Sequence, residues 1–418
     1  MRIAVIGSGI SGLGAAYYLS RKHTVWLFEK DNRLGGHTHT VTVDTPKGPL
    51  AVDTGFIVHN DRTYPNLIRL FAELGVATQA SDMSFAVNDL DTGFEYSSRG
   101  LRGFFAQPSS WVDPAQYRLL TEILRFNRQA PRLLDDPTLA SITLGDVIDQ
   151  GRYSDVFTER YLYPMASAVW SMSTDGIRHF PAFTLLRFFQ NHGMLGINTH
   201  PKWKVVKGGS NEYLAPLSKP FAERIHKGCD IALVERAEDS VTIRFRDAAM
   251  PPMTFDQVVF ACHGNQVLPL LADATYAERD VLQHFVTSRN DVVLHTDENL
   301  LAKRDNARAS WNYNLCGKDL AAATVTYHMN RLQSLQTDQQ YCVTLNGTER
   351  IREEKILRRF VYHHPVYDRA AVAAQQRWSE ISGAGKRTHF CGAYWFYGFH
   401  EDGLNSALRV AKSLGVDV

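Results

Sequence analysis

Apolar positions along the chain change period several times, and each change marks an element. Residues 2 to 6 form an apolar run of strand length, Gly7-Ser8-Gly9-Ile10-Ser11-Gly12 follows as a turn, and an Ala-rich helical pattern runs from Leu13 to Leu19. A second apolar run, Thr24 to Phe28, ends at Glu29. Together these make a βαβ unit of about 30 residues, which predicts two parallel, buried strands. Alternation in Val41–Asp44 and Leu50–Asp53, around Pro46-Lys47-Gly48-Pro49, predicts a hairpin. Helical spacing follows at Leu67, Leu70, Phe71 and Leu74, with Gly75 as its C-cap, and Asp113-Pro114 opens a helix through Leu119, Leu120, Ile123 and Leu124. Residues 61 to 200 read as mostly helical.

From Val205-Val206 onward the pattern turns to strand. The turn Gly208-Gly209-Ser210 leads into a helix through Leu214 and Leu217, and strands are expected at Ile231–Val234, Val241–Phe245 and Val258–Ala261. More follow at Asp291–His295, Ala322–His328, Tyr341–Leu345 and Arg387–Gly392, before a final helix from Leu404 to Leu414. His363-His364-Pro365 reads as a strand-to-loop turn.

The 418 residues, 44% hydrophobic and 21% charged, exceed what one core holds, so two domains are expected. Lys plus Arg number 45 against 44 Asp plus Glu, which leaves no global field to hold a polyanion and argues against nucleic acid as a partner. The five cysteines are odd in number and never paired as CxxC, a pattern that speaks against a disulfide framework or a zinc cluster and for a reducing cytoplasm. No apolar run reaches the roughly 20 residues of a membrane helix. Contact with a membrane is therefore at most peripheral. The stretch Gly100–Phe105, with Trp111, mixes basic and aromatic residues that could touch a bilayer, although a loop anchored on the helical domain is the plainer reading.

The spacing of Gly7, Gly9 and Gly12 has a mechanical meaning. The first glycine permits the tight turn, the second lets the backbone approach a pyrophosphate, and the third lets helix pack closely on strand, with the helix N-terminus aimed at the phosphates. Glu29, at the end of the second strand, is the acid expected to hold a ribose. NAD and FAD both satisfy this pattern. Arg33-Leu34-Gly35-Gly36-His37-Thr38 adds a second glycine pair on the other side of the pyrophosphate, for which NAD-only domains have no general need.

With that segment the chain resembles the FAD-binding amine oxidase superfamily, whose early motif is GxGxxG, then Glu, then RxGG. The likeness continues through Asp53-Thr54-Gly55-Phe56, Gly208-Gly209-Ser210, the strand at Asp256–Ala261, Phe390-Cys391-Gly392 and Gly398 to Gly403. Within it, Gly35–Thr40, Tyr327–Gln333 and Gly398–Gly403 look like a bacterial group described as predicted NAD/FAD-binding proteins. The resemblance implies noncovalent FAD held by Gly7, Gly9, Ile10, Ser11, Gly12, Glu29, Lys30, Arg33, Gly35, Gly36, His37 and Thr38. It adds Gly55, Phe56 and Ile57 beside the ring, Val234 at adenine, and Gly392, Glu401, Asp402, Gly403 and Leu404 at the ribityl and pyrimidine end. His37 stands where the family commonly has a phosphate-contacting Arg, and Phe399 stands at one wall of its aromatic cage, where Tyr or Trp is usual.

The expected fold class is α/β. A discontinuous Rossmann-like FAD-binding domain (1–60, 201–270 and 380–418) is joined to a mixed helical and antiparallel-sheet substrate domain (61–200 and 271–379). The expected function is an FAD-dependent oxidoreductase abstracting a hydride equivalent from a C–H bond, with His400, Phe399 and Tyr394 as catalytic or cavity-wall candidates. The Phe-rich middle, Phe180, Phe183, Phe188 and Phe189, points to desaturation or isomerisation of a hydrophobic, fatty-acyl-like small molecule. Amine oxidation and a purely structural FAD are the alternatives. No metal is expected: His37, His39 and His59 lack an acid or cysteine to complete a set and read as backbone or phosphate contacts.

Overall fold

A computed structural model describes residues 1–196, 201–315 and 324–418. The helices that position the site are α1 (Ile10–Leu19), α2 (Pro65–Leu74), α3 (Pro114–Leu133), α4 (Ala182–Asn191) and α5 (His400–Ser413). A five-stranded sheet is built from β1 (Arg2–Ile6), β2 (Thr24–Phe28), β3 (Ile225–His226), β4 (Gln257–Phe260) and β5 (Thr388–Phe390) in the order β3-β2-β1-β4-β5, with every pairing parallel. Ile3, Ala4, Val5, Val25, Leu27, Val258, Val259 and Phe260 are fully or almost fully buried, as strands covered on both faces require. The edge strand β3 is two residues long, too short to leave a period in the sequence.

Chain reversal between β1 and α1 depends on glycine. A Cβ on Gly12 would lie 1.8 Å from the Gly7 carbonyl oxygen, so the helix can approach the strand only without a side chain there. Helix α5 then lies along α1, with Leu404 seated against Gly14. It begins at His400, four residues before the start expected from periodicity, because its first turn is polar.

A seven-stranded mixed sheet runs, in spatial order, through Ile356–Pro365, Thr287–His295, Cys342–Leu345, Val325–His328, Trp311–Leu315, Phe85–Asp89 and Glu95–Ser97. Helices α3 and α4 bury a second core beside it. The stretch from 61 to 200 is therefore not simply helical: it also contains strands at Thr78–Ala80, Phe85–Asp89 and Glu95–Ser97. These runs of three to five residues carry Asn, Gln and Asp and lack a clean alternation. Of the strand expected at Ala322–His328, Val325–His328 is observed, and residues 322 and 323 lie outside the described residues.

Val58–Asn60, Trp203–Val206 and Thr78–Ala80 form one antiparallel sheet, which bridges the segments on either side of the limits expected at 60 and 201. Two large apolar cores result, one around the parallel sheet and one among the helices, and Phe399 packs against both.

Candidate functional site

The open turn of the β1–α1 unit is the centre of the site. Helix α1 has no side-chain cap and no acid in its first turn, so the amides of Ile10, Ser11 and Gly12 face outward from a positive dipole end. No atom lies within 4 Å of the position a Gly9 side chain would take. The N-terminus of α5 arrives at the same place: a Cβ on Gly403 would meet Ile10 Cγ2 at 2.7 Å and Ser11 Oγ at 2.8 Å. Two helix N-termini packed side by side favour an anion between them.

Around this turn the loops are stapled to one another. Glu29 accepts from the Ser8 amide at 2.8 Å, from the Ser8 hydroxyl at 2.6 Å and from the Asp31 amide at 2.8 Å, which fixes a carboxylate at the end of β2 beside the glycine turn. The Gly35 amide donates to Ser8 O at 3.0 Å, and Arg33 donates to Gly36 O at 2.7 Å and to Thr38 O at 3.2 Å. Arg33 thus shapes the second glycine loop from within. Phe56 N donates to His37 O at 2.7 Å and Thr54 N to His39 O at 2.8 Å, bringing Gly55 and Phe56 against that loop.

Asp53 ties these loops to the rest of the molecule. Its carboxylate accepts from Thr40 Oγ1 at 2.6 Å, from the Ser210 amide and hydroxyl at 2.8 and 2.9 Å, and from Gln333 Nε2 at 3.0 Å. Burial still pushes its carboxyl up to about 6, against those hydrogen bonds. Asp402 at the start of α5 accepts from the Phe399 amide at 2.9 Å and is pushed up to about 7, chiefly by burial.

His400 stacks on Phe56 with ring centroids 3.6 Å apart. Its Nε2 lies 3.0 Å from Thr38 Oγ1 and 3.1 Å from the Tyr213 hydroxyl, and these two hydroxyls also bond each other. Burial lowers its imidazole to about 3, so the ring is neutral at ordinary pH. Next to it, an aromatic seam joins the two cores. Phe399 stacks on Phe188 at 5.0 Å, Phe188 stacks on His192 at 3.9 Å and tilts against Trp170 at 4.9 Å, and Trp170 Nε1 donates to Tyr397 O at 3.3 Å. His192 is lowered by burial to about 4 and is neutral as well.

Gly7, Gly9, Ile10, Ser11, Gly12, Glu29, Gly35, Gly36, His37, Thr38, Gly55, Phe56 and Gly403 are thereby brought into one region. Other candidates are used differently. Val234 lies in a separate antiparallel sheet, where its carbonyl also accepts from Ala272 N at 3.1 Å, while the Cys229 amide donates to the Glu29 main-chain carbonyl at 2.8 Å. Lys30 is exposed, its ammonium 3.7 Å from Asp230. Glu401 caps α2, accepting from the Asn66 and Leu67 amides at 2.9 and 2.8 Å, so its carboxylate is committed there. Ile57 and Leu404 turn their side chains into apolar cores, and Gly392 donates to Ser406 Oγ at 3.0 Å.

Tyr394 is 4% exposed and packs on Phe285 at 4.7 Å and Trp395 at 5.4 Å, inside the core of the parallel-sheet half. Sequence reasoning passed over Tyr213, His192 and Trp170, whose contacts bridge segments 129 to 227 residues apart, and gave Gln333 no role beyond its place in a motif. Their only trace in the sequence is a polar or aromatic residue in an apolar stretch.

A family model described as flavin containing amine oxidoreductase matches residues 10–350. Protoporphyrinogen oxidase of Schizosaccharomyces pombe (strain 972 / ATCC 24843) is 43% identical over 61 residues, which span 13% of this chain and only 12% of that protein's length. Among solved structures, the chain is similar to a CLA-producing fatty acid isomerase from P. acnes, with a TM-score of 0.71 at 15% identity over 99% of each chain. It is also similar to wild-type putrescine oxidase bound to putrescine, with a TM-score of 0.70 at 13% identity over 99% of each chain. At these identities the two structures speak to the fold.

Proposed function

Since the chain belongs to the flavin-containing amine oxidoreductase family and is an FAD-dependent oxidoreductase, we propose that it acts on a hydrophobic small molecule, desaturating or isomerising a fatty-acyl-like chain. FAD, when bound, accepts a hydride equivalent from a C–H bond of the substrate. The residues we assign to holding it are the first-turn amides of α1 for the diphosphate, Glu29 for a ribose, Gly55 and Phe56 beside the ring, and the N-terminal turn of α5, up to Asp402, for the pyrimidine end, with Gly403 and Leu404 packing that turn against α1.

The observation that carries the substrate proposal is the seam. Phe399, Phe188, Trp170 and Tyr397 offer an apolar wall next to the His400–Phe56 stack, and the two histidines in contact with it, His192 and His400, are kept neutral by burial. Such a wall orients a hydrocarbon and excludes water, and the rings described against that of Phe399, Phe188 and His192, offer an ammonium group no charge; the buried Asp402 carboxyl is held by the Phe399 main-chain amide. His400 would hold its neighbours' hydroxyls in place through Nε2 and release no proton. The fold is common to a fatty acid isomerase and to putrescine oxidase, so amine oxidation is the competing reading. Anaerobic mixing of the holoenzyme with an unsaturated fatty acid and, separately, with a primary amine decides between them. Bleaching of the flavin by the acid, or a new conjugated-diene absorbance, supports the proposal. Bleaching by the amine alone overturns it.

We also propose that the substrate side touches a bilayer. Leu101, Trp111 and Val112 are 65%, 50% and 80% exposed, Trp111 stacks on Phe105, and exposed Arg102 and Arg118 flank them. No helix among the described residues is long and apolar enough to cross a membrane, so this contact would be peripheral. Co-flotation with anionic vesicles that is lost in Trp111→Ser supports it; absence of flotation overturns it. A reducing, cytoplasmic location completes the reading, in keeping with unpaired Cys229, Cys262, Cys342 and Cys391.

A further inference from the structure

Four histidines from three separated segments gather at the C-terminal edge of the parallel sheet. His37 follows the second glycine pair, His263 lies just beyond β4, and His363 and His364 end the Ile356–Pro365 strand. The His37 ring lies 5.7 Å from His263 and 5.4 Å from His364, and His263 lies 6.3 Å from His363. Nothing in the hydride chemistry proposed above uses them. Among the described residues no three such side chains converge on a point that a metal ion could occupy.

What the cluster lacks is an anion. His37 Nε2 is buried without a hydrogen-bond partner, while its neighbour Gly36 approaches the open turn at Gly9: a Cβ on Gly36 would sit 3.1 Å from Gly9 Cα. The groups facing it are Arg33 from its own loop, His263 beyond β4, Tyr362 and His364 from the strand, and His400 from α5, with His39 reached through Tyr362 and His363 through His263. The electrostatic influences of His364, His263, His400 and Arg33 all oppose a proton on His37. Among the described residues no carboxylate hydrogen-bonds to any of the four rings, and Glu29 is committed to Ser8 and Asp31. Burial and mutual repulsion hold these rings neutral: His37 well below the ordinary histidine value, and His263 and His364 at about 4. An external polyanion next to them reverses that balance, because each negative charge favours the protonated ring.

We propose that His37, His263 and His364 form a protonatable clamp on the diphosphate of FAD, so that the chain takes up a proton with the cofactor and holds FAD more tightly as pH falls. The clamp rests on the reading that the diphosphate lies over the N-terminus of α1. It assigns His263 and His364 a cofactor role and makes retention of FAD, rather than the chemical step, the pH-sensitive property. Proton uptake linked to binding requires the dissociation constant to fall with pH, by at most about tenfold per pH unit for each proton.

The test is dilution of the holoenzyme between about pH 8 and pH 6, with release of FAD read by the rise in flavin fluorescence. In the wild-type protein the dissociation constant should fall severalfold over that interval, and calorimetry of FAD binding in buffers of different ionisation enthalpy should register a net proton uptake. His37→Asn should flatten the dependence and weaken binding at the acid end, leaving it within about twofold at the alkaline end. His263→Asn and His364→Asn should each reduce the slope. A dissociation constant independent of pH in wild type, zero proton uptake, or a slope unchanged in all three variants overturns the clamp. Unchanged FAD affinity in Gly9→Val would instead overturn the reading of the α1 turn, and the clamp with it. The wild-type slope and proton count need no variant to fold.

Discussion

At the glycine turn the fit is made by main chain, and at the aromatic seam it is made by side chains. Around Gly9 and Gly12 the distances are set by atoms that cannot rotate away: the Gly7 carbonyl, the first turn of α1 and the flank of α5. Around Phe399 the surfaces are rings from α4, from the segment ending in Trp170 and from the approach to α5, each with rotamers that can adjust. At Gly12 the first region is intolerant of a single added methyl group. The second can change its shape while the fold persists, which suits a family fold that is similar to both a fatty acid isomerase and a putrescine oxidase. Cofactor retention and substrate choice should therefore separate on mutation.

Gly12→Ala should break the first region outright. Its Cβ would fall 1.8 Å from the Gly7 oxygen, inside any permissible contact, and neither strand nor helix can retreat without losing the sheet pairing. We expect destabilisation of about 3 kcal/mol or more, at or beyond the upper end for overpacking. Purified variant should carry little flavin and melt early. Normal flavin content and melting would show that the turn yields more readily than its geometry implies.

Tyr394 sharpens the contrast because it lies only five residues from Phe399 yet is buried in the parallel-sheet core alone, whereas Phe399 touches both cores. Tyr394→Ala should cost about 3–5 kcal/mol, as for other large buried aromatics. Its hydroxyl is buried with no hydrogen-bond partner, so Tyr394→Phe should be neutral or stabilising by about 1 kcal/mol. Denaturant titration of both variants checks this. A stable Tyr394→Ala protein with altered flavin reduction would return Tyr394 to the substrate wall.

These two neighbours also mark what could be read from the chain and what could not. Gly7, Gly9, Gly12 and Glu29 act through main-chain conformation and a short, local spacing, so a βαβ unit of this kind is legible in a single sequence. Tyr394 and Phe399 share one apolar stretch, and only their packing, Tyr394 against Phe285 within one core and Phe399 against Phe188 at the junction of both, tells them apart. Val234 rests on the resemblance alone, for a related reason. A recognition role borne by a main-chain carbonyl leaves no side-chain signature, and here that carbonyl is taken by Ala272. Asp53 was legible as part of a loop, but its bond to Gln333 spans 280 residues.

A smaller effect separates the two regions by pH. Burial raises the Asp402 carboxyl to about 7, above its value in the unfolded chain, so the native state binds the extra proton. Stability contributed through this group is fully present below about pH 4 and is lost as pH rises through about 7. The loss amounts to about 2–4 kcal/mol. Asp402→Asn still accepts from the Phe399 amide and should remove that part of the slope, matching wild type near pH 4 and exceeding it near about pH 8. Parallel denaturation curves at both pH values would argue that water or the cofactor relieves the buried charge.

The smallest change in stability should accompany the largest change in substrate use. Phe399 contacts both cores but is only partly buried, and its stacked partner Phe188 is itself held by Trp170 and His192. Phe399→Leu keeps an apolar surface of similar volume and removes the flat ring, so the melting free energy should fall by about 1 kcal/mol. FAD affinity should stay within about twofold, because none of the cradle's hydrogen bonds passes through this side chain. The rate of anaerobic flavin reduction should fall by about tenfold or more for a substrate whose reacting C–H bond the ring aligns, since a small misplacement at that distance is costly. If reduction is unchanged and only stability drops, Phe399 is mortar between two cores. The substrate wall must then be sought among Trp170, Phe188 and Tyr397, where the same pair of measurements would locate it.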